Sequence, residues 1–265
     1  MAVHKKQHNK PHKNRKRTGE NPSPNGVTPS LEMLYGAHTV LEALNNPKRK
    51  ISRLLATENA TKRFADKLAA PRLQIESVKP AEISKITGAD AVHQGLLALA
   101  QPLREPHLHE LAECDGPILI LDQITDPHNV GAIIRSAAAF GAAGLIMTAR
   151  HSPQASGVLA KSASGGLEHV PILKVTNLSS AIASLMKSGV ICIGLDSEAE
   201  MCLEDAVNGV EKLAIVLGAE GKGLRQKTRE TCTNLARLDM PGAIASLNVS
   251  NAAALALYAV SRRVL

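Results

Sequence analysis

The sequence has no tryptophan and only two tyrosines and two phenylalanines in 265 residues. Proteins that hold single strands by base stacking need several aromatic side chains on one surface. Tyr35, Tyr258, Phe64 and Phe140 are too few for such a platform. Any nucleic-acid partner must therefore be held by charge, hydrogen bonds and shape. Cysteine is scarce as well. Cys114, Cys192, Cys202 and Cys232 are widely spaced and form no C-x-x-C pair. That pattern excludes a disulfide scaffold and a zinc site, and points to reduced core thiols in a cytoplasmic protein. No apolar run reaches the ~18 residues that suggest a membrane span, so no membrane association is expected. The N-terminus lacks an apolar signal-peptide core; it is basic and nearly acid-free like a transit peptide, but has no amphipathic helical period. The G-x-G-x-x-G fingerprint, the Walker A loop, H-E-x-x-H, the kinase set and G-x-S-x-G are all absent. A nucleotide-dependent dehydrogenase is excluded on that ground, and no metal is expected.

What is present is positive charge, unevenly spread. The formal net charge is +7, from 31 Lys and Arg against 24 Asp and Glu. Residues 1–30 contribute +6 of it, through Lys5, Lys6, Lys10, Lys13, Arg15, Lys16 and Arg17 against Glu20. Residues 31–103 net +3, with ten basic and seven acidic residues, and residues 104–265 net −2, with 14 and 16. The first 30 residues read as a disordered tail ending in Asn21-Pro-Ser-Pro-Asn-Gly. It is either a solubilising extension or an arm for a polyanion, and the acid-poor clustering favours the arm.

The length fits one large or two modest domains. Residues 31–103 read as a small α/β unit. Helical spacing covers 36–46, strands are expected at 51–57, 73–78 and 96–100, a helix at 60–70, and a short helix opened by Pro80. Lys48, Arg49, Lys50 and Arg53 cluster there. Residues 104–115 are polar with prolines just before and within them, and read as a linker. From 116 to 265 the pattern is repeated β/α. Short continuous apolar runs at 118–121, 144–148, 170–174, 190–194 and 213–217, with a weaker one at 235–238, predict a buried parallel sheet. Helices are expected at 130–140, 152–162, 178–188, 223–231 and 247–264.

Three segments break this pattern just beyond predicted strands, where open α/β sheets place their ligand sites. The first runs Asp122-Gln-Ile-Thr-Asp126-Pro-His-Asn129-Val-Gly131-Ala-Ile-Ile-Arg135. Asn129 suits a helix N-cap. Arg135, in an otherwise apolar helix, either snorkels to the surface or is fixed in a site. The second is Leu217-Gly218-Ala-Glu220-Gly221-Lys222-Gly223, a Gly-rich loop. It is either a turn of special backbone angles or a place of close backbone approach to a ligand. The third is Leu238-Asp239-Met240-Pro241-Gly242-Ala-Ile-Ala-Ser246-Leu247-Asn248-Val249-Ser250-Asn251. Ser246 is a fair N-cap, whereas Asn248, Ser250 and Asn251 are unusual for a helix interior.

Taken together, N-x-G-x-x-x-R (Asn129, Gly131, Arg135), L-G-x-E-x-x-G (Leu217, Gly218, Glu220, Gly223) and S-L-N-V-S-x-A (Ser246 to Ala252) resemble the SpoU (TrmH-type) ribose 2′-O-methyltransferases of the SPOUT superfamily. Tyr35-Gly36-Ala37-His38-x-Val40 and His93-Gln94-Gly95 are similar to that family's L30e-like substrate-binding domain. The likeness covers residues 31–265, and its arrangement looks like the branch that methylates a guanosine of 23S ribosomal RNA. One departure is Leu238-Asp239-Met240-Pro241-Gly242, where the family commonly has I-P-M-x-G.

The resemblance implies an L30e-like domain followed by a SPOUT α/β domain with a parallel sheet and a C-terminal trefoil knot. It implies S-adenosylmethionine as cofactor, held around Leu217, Gly218, Gly223, Leu238, Met240 and Leu247. It implies a homodimer, and an active site of Arg135, Asn129, Glu220, Ser246 and Asn248. In the family the counterpart of Arg135 is assigned removal of the hydroxyl proton. A guanidinium normally stays protonated, so holding the adjacent phosphate or the developing oxyanion is the alternative role. Lys48, Arg49, Lys50, Arg53 and His93 are the expected RNA contacts. A transfer RNA, the ribose targeted by resistance methyltransferases, and a non-catalytic ribosome-assembly role are the competing readings.

Overall fold

A computed structural model describes residues 1, 31–69, 74–150, 153, 156–244 and 246–264. The tail reading and the first residues of the helix expected at 152–162 lie largely outside the described residues.

The chain begins with β1 (Glu32–Tyr35), α1 (Ala37–Asn45), β2 (Ile51–Ala56), α2 (Glu58–Arg63), α3 (Ala65–Leu68), β3 (Ile75–Ser77), α4 (Pro80–Thr87) and β4 (Leu96–Ala100). The four strands form one sheet in the order β1-β4-β2-β3, with only the β2–β3 pair parallel. Sequence patterning missed β1. Its four residues carry no period of their own, and pairing with β4, about sixty positions away, makes them a strand. The helix expected at 60–70 is two short helices parted at Phe64, where the backbone leaves helical angles. Val40, Leu41 and Ala43 of α1 pack with Leu34, Leu54, Leu96 and Ala98. On the opposite face Ile83 of α4 packs with Tyr35, Leu55 and Leu97.

The larger domain follows as α5 (Leu108–Glu113), β5 (Ile118–Asp122), α6 (Pro127–Ala139), β6 (Gly144–Thr148), α7 (Gly157–Ala163), a 3-10 turn (Gly166–Glu168), β7 (Ile172–Val175), α8 (Leu178–Lys187), β8 (Ile191–Leu195), α9 (Leu203–Val207), β9 (Leu213–Gly218), α10 (Gln226–Thr231), β10 (Asn234–Ala236) and α11 (Val249–Ser261). Six strands form a wholly parallel sheet in the order β10-β8-β9-β5-β6-β7. Every residue of β5 and β6 is buried, as continuous apolar runs require when helices cover both faces. One face carries α6 and α11, through Ile133, Ile134, Ala253 and Leu257. The other carries α8 and α5, through Ile182, Leu185 and Leu111.

The linker expected at 104–115 needs correction. It contains α5, whose Leu111 and Ala112 are buried in the second of these cores. Glu110 accepts a hydrogen bond from the His107 backbone N–H at 2.6 Å, which starts the helix in an otherwise polar stretch.

The two domains share a core. The buried residues over the small sheet and those on the α6/α11 face of the large sheet form one continuous apolar cluster. Helix α7 is the joint. Thr39 Oγ1 donates to the Ala160 carbonyl at 3.2 Å, and Lys161 Nζ donates to Gln94 Oε1 at 3.3 Å.

Candidate active site

The strand order reverses between β5 and β9. From β5 the chain winds outward through β6 to β7, then returns on the other side through β8 and β9. Open α/β sheets bind ligands beyond the carboxyl ends of the strands at such a switch point. Asp122 and Gly218, which end β5 and β9, are register partners there.

Asp122 is fully buried. Its Oδ1 accepts from Arg225 Nε at 2.7 Å and its Oδ2 from the Arg225 backbone N–H at 3.1 Å. The loop after β9 is thus tied to the end of β5 by a buried charge that needs a partner. Sequence reasoning assigned no role to either residue. The signal was an acid ending an apolar strand, but its partner lies 103 positions away. Within the loop, Gly223 N–H donates to the Ala219 carbonyl at 2.8 Å. A Cβ on Gly218 would lie 2.1 Å from the Gly223 carbonyl carbon, so only glycine permits this fold-back. Gly223 itself has φ +63°.

The first and third motifs meet through two asparagines, and both helix starts differ from expectation. Helix α6 begins at Pro127 with Asp126 as its cap, the carboxylate accepting from the His128 N–H at 3.0 Å. Asn129 is therefore inside the first turn, and its side chain is released from capping. Helix α11 is capped by Asn248, not Ser246, and Asn248 Oδ1 accepts from the Ser250 N–H at 2.9 Å. The remaining amide of Asn248 donates to Asn129 Oδ1 at 3.0 Å. That bond spans 119 positions and joins the start of α6 to the start of α11.

Arg135 lies on the same helix, one turn beyond Gly131. A Cβ on Gly131 would come within 2.4 Å of Ser162 Cβ and 2.8 Å of the Leu159 carbonyl, so the glycine of the first motif sets the approach of α7 to α6. Arg135 is exposed and has no hydrogen bond or ion pair among the described residues. Glu220 is exposed too, at the crest of the glycine loop. Ser246 and Leu247 are exposed beside it in sequence to Asn248. The structure thus brings Asn129 and Asn248 into direct contact and presents Arg135, Glu220 and Ser246 to solvent.

The segment 238–247 has free backbone polarity. Among its described residues none makes a backbone–backbone hydrogen bond. Such a stretch offers donors and acceptors to the edge of a planar heterocycle, and Gly221 and Gly242 have open space where a side chain would stand. The departure at Asp239 is accommodated locally, for its Oδ1 accepts from Arg237 Nε at 2.9 Å. These features fit an adenosine cofactor held by backbone groups.

The expected RNA contacts divide. Lys48 and Lys50 are exposed. Arg53 is exposed but holds Glu76 in a two-pronged pair at 2.8 and 2.6 Å. Arg49 is a correction: its side chain is 2% exposed and is bound to Glu32 and Glu168, so it is not available to a phosphate. His93 is half-buried, with Nδ1 accepting from the Gly95 N–H at 3.0 Å and Nε2 3.2 Å from Ser84 Oγ. Burial lowers its pKa, which favours the neutral ring. The cysteines are free, and Cys192 and Cys232 lie in the protein interior. Burial, with a smaller push from each one's neighbouring acid or thiol, raises Cys192 to about 12 and Cys232 to about 11. Cys114 is exposed, contrary to the reading of four core thiols. No group of three or more His, Cys, Asp or Glu suited to a metal occurs among the described residues. No helix among them is long and apolar enough to cross a membrane.

The six-stranded parallel sheet and the three motifs place the chain in the class of SpoU methylases. The SpoU rRNA methylase family model matches residues 116–258, and the model for RNA 2′-O ribose methyltransferase substrate binding matches residues 33–106. The chain belongs to the SpoU rRNA methylase family. It is 36% identical over 245 residues to the 23S rRNA (guanosine-2′-O-)-methyltransferase RlmB of Vibrio vulnificus, covering 88% of this chain and 98% of that one. The RlmB of Escherichia coli K12 is 35% identical over 241 residues, with the same coverage. An uncharacterized tRNA/rRNA methyltransferase of Synechocystis is 35% identical, and there the match spans 63% of the longer relative. Among solved structures, the SpoU methyltransferase AviRb of Streptomyces viridochromogenes in complex with AdoMet has the same fold, with TM-score 0.75 at 22% identity over 88% of this chain and 90% of that one. A structure titled RNA 2′-O ribose methyltransferase gives TM-score 0.73 at 26% identity, over 87% and 88%.

Proposed function

We propose that the protein methylates the ribose 2′-hydroxyl of a guanosine in 23S ribosomal RNA, with S-adenosylmethionine as donor. The observation that carries this reading is the Asn129–Asn248 bond, which assembles the first and third motifs. The relatives bearing that activity in their names align over nearly their whole length.

S-adenosylmethionine supplies a methyl already activated as a sulfonium, so the chain need only align the hydroxyl and manage its charge. Alignment of two substrates is itself a large part of such catalysis. Leu217, Gly218 and Gly223, with the unbonded backbone of Leu238, Met240 and Leu247, hold the cofactor. Arg135, exposed and without a partner among the described residues, binds the phosphate next to the target ribose or the developing oxyanion. Asn129 and Asn248 fix the start of α6, the helix that carries Arg135 further along, and Glu220 and Ser246 orient ribose and cofactor.

Lys48, Lys50 and the exposed edge of the small domain near His93 position the RNA, and the basic tail adds phosphate contacts. The protein acts as a cytoplasmic homodimer. The exposed apolar side chains of Leu255 and Tyr258 on α11, at 47% and 56%, support α11 as its interface. The packing of α11 against α6 and β9, after the chain has passed through β10, supports a threaded C-terminal segment of the SPOUT type.

The test is transfer of labelled methyl from S-adenosylmethionine to separated rRNA and tRNA pools, followed by mapping of the modified ribose. Transfer to 23S rRNA at one guanosine is expected, and Arg135→Ala should abolish it while cofactor binding persists. Transfer confined to tRNA overturns the substrate, and transfer to neither pool favours a binding protein. Near-normal turnover by the Arg135 variant overturns its role.

A further inference from the structure

The buried arginine that is unavailable to RNA connects the two domains. Arg49, between α1 and β2, directs Nε and Nη2 at the Glu168 carboxylate, at 3.0 and 2.8 Å. Its Nη1 donates to Glu32 at 2.6 Å and to the Gln101 carbonyl at 3.0 Å. Asn46 Nδ2 donates at 2.7 Å to Glu168 Oε2, the oxygen that also accepts from Arg49 Nε. The Glu168 side chain, like that of Arg49, is only 2% exposed. Burial alone would lower the Arg49 pKa, but its bonds and charge interactions with Glu168 and Glu32 outweigh that and raise it. Three acceptor groups, from β1, the residue after β4 and the catalytic domain, thus converge on one planar guanidinium, the geometry for which arginine is suited and lysine is not.

The far end of this strut touches the catalytic helix. Glu168 closes the 3-10 turn Gly166–Glu168. Gly166 is pressed against α6 so closely that a Cβ there would lie 3.1 Å from the Ile134 carbonyl and 3.3 Å from the Arg135 Cα. A displacement of the small domain at Arg49 would therefore be passed through a rigid three-residue turn to the backbone of the arginine at the site.

We propose that Arg49 and Glu168 are positioning residues for methyl transfer: they fix the RNA-bearing domain relative to Arg135 and so select which ribose is presented. The proposal rests on the methyltransferase reading above. It places the two residues outside the RNA and cofactor sites, acting only through domain orientation.

The experiment compares the full-length protein with Glu168→Ala, Glu168→Gln and Arg49→Lys. Single-turnover methylation is measured at saturating S-adenosylmethionine and RNA, cofactor affinity is measured separately, and the methylated nucleotide is mapped. Misplacing reactants by about an ångström can cost on the order of a hundredfold. Glu168→Ala and Arg49→Lys should lose roughly ten- to a hundredfold in rate, with cofactor affinity unchanged and methylation spreading to neighbouring riboses. Glu168→Gln keeps one oxygen that can accept from both Arg49 Nε and Asn46 but turns a donor toward Arg49 Nη2, so its rate and its spread of sites should fall between those of the parent and Glu168→Ala. Full rate and a single modified ribose in Arg49→Lys overturn the proposal, as does a rate lost only in proportion to cofactor binding. If the parent protein methylates no RNA, the functional reading fails and the clamp is judged by proteolysis of the 101–107 connection. Faster cleavage in Arg49→Lys supports the clamp, and equal cleavage overturns it.

Discussion

At the scale of single residues, the site is governed by groups freed from structural duty. Asn129 would have served as a helix cap, but Asp126 and Pro127 start α6 earlier and leave the Asn129 amide for Asn248. Arg135 has no partner among the described residues, whereas Arg49 is held by Glu32 and Glu168 and Arg225 Nε by the buried Asp122. Gly131 shows the reverse case, a motif residue whose demand is steric. Gly131→Ala should be destabilising although alanine is the better helix former by about 1 kcal/mol. The added methyl meets Ser162 Cβ at 2.4 Å and the Leu159 carbonyl at 2.8 Å. Forcing an atom into such a contact typically costs about 1–3 kcal/mol. Denaturant unfolding should show the loss, and unchanged stability would mean that α7 yields freely.

Among elements, the sequence was most legible where burial is two-sided. The apolar runs at 118–121, 144–148 and 213–217 match β5, β6 and β9 within a residue, because a strand covered on both faces has no polar alternation to confuse it. Elements fixed by distant partners were not legible. β1 depends on pairing with β4, and α5 depends on burial of Leu111 and Ala112 against the large sheet. The RNA-contact reading of Arg49 failed for the same reason. Beside Lys48 and Lys50 it looks like part of a solvated patch, and its acid lies 119 positions away. The motifs were legible as a set, but the cap positions were not, since asparagine serves equally well as a cap or as a hydrogen-bonded site residue. Helix α11 carries its own prediction. Leu255 and Tyr258 face solvent and Tyr258 meets the Phe140 ring edge-on, 6.5 Å between centroids. Leu255→Glu should convert the proposed dimer to monomer in sedimentation, with the far-ultraviolet spectrum kept. A variant that sediments as the parent does would remove α11 from the interface.

For the molecule as a whole, the charge gradient has functional meaning. Seven cations precede residue 31, the small domain nets +3 and residues 104–265 net −2. Each phosphate contact on a single strand steepens the dependence of log affinity on log salt by about 0.7. Removing residues 1–30 should weaken RNA binding and flatten that slope, with the methylated position unchanged. A slope that stays the same would make the tail a solubilising extension. The grading also separates grip from chemistry. Along the sequence, the excess cations lie outside residues 104–265, which build the switch-point site.

The shared core has a consequence for how such a protein can diversify. Its substrate module and its catalytic module are joined by one apolar cluster and by Asn46, Glu32, Arg49 and Glu168. Recombination that exchanged either module alone would strand a buried charge and open a seam in the core. For this chain, a new RNA target should come more readily by point changes on the exposed rim of the small domain than by exchange of one module.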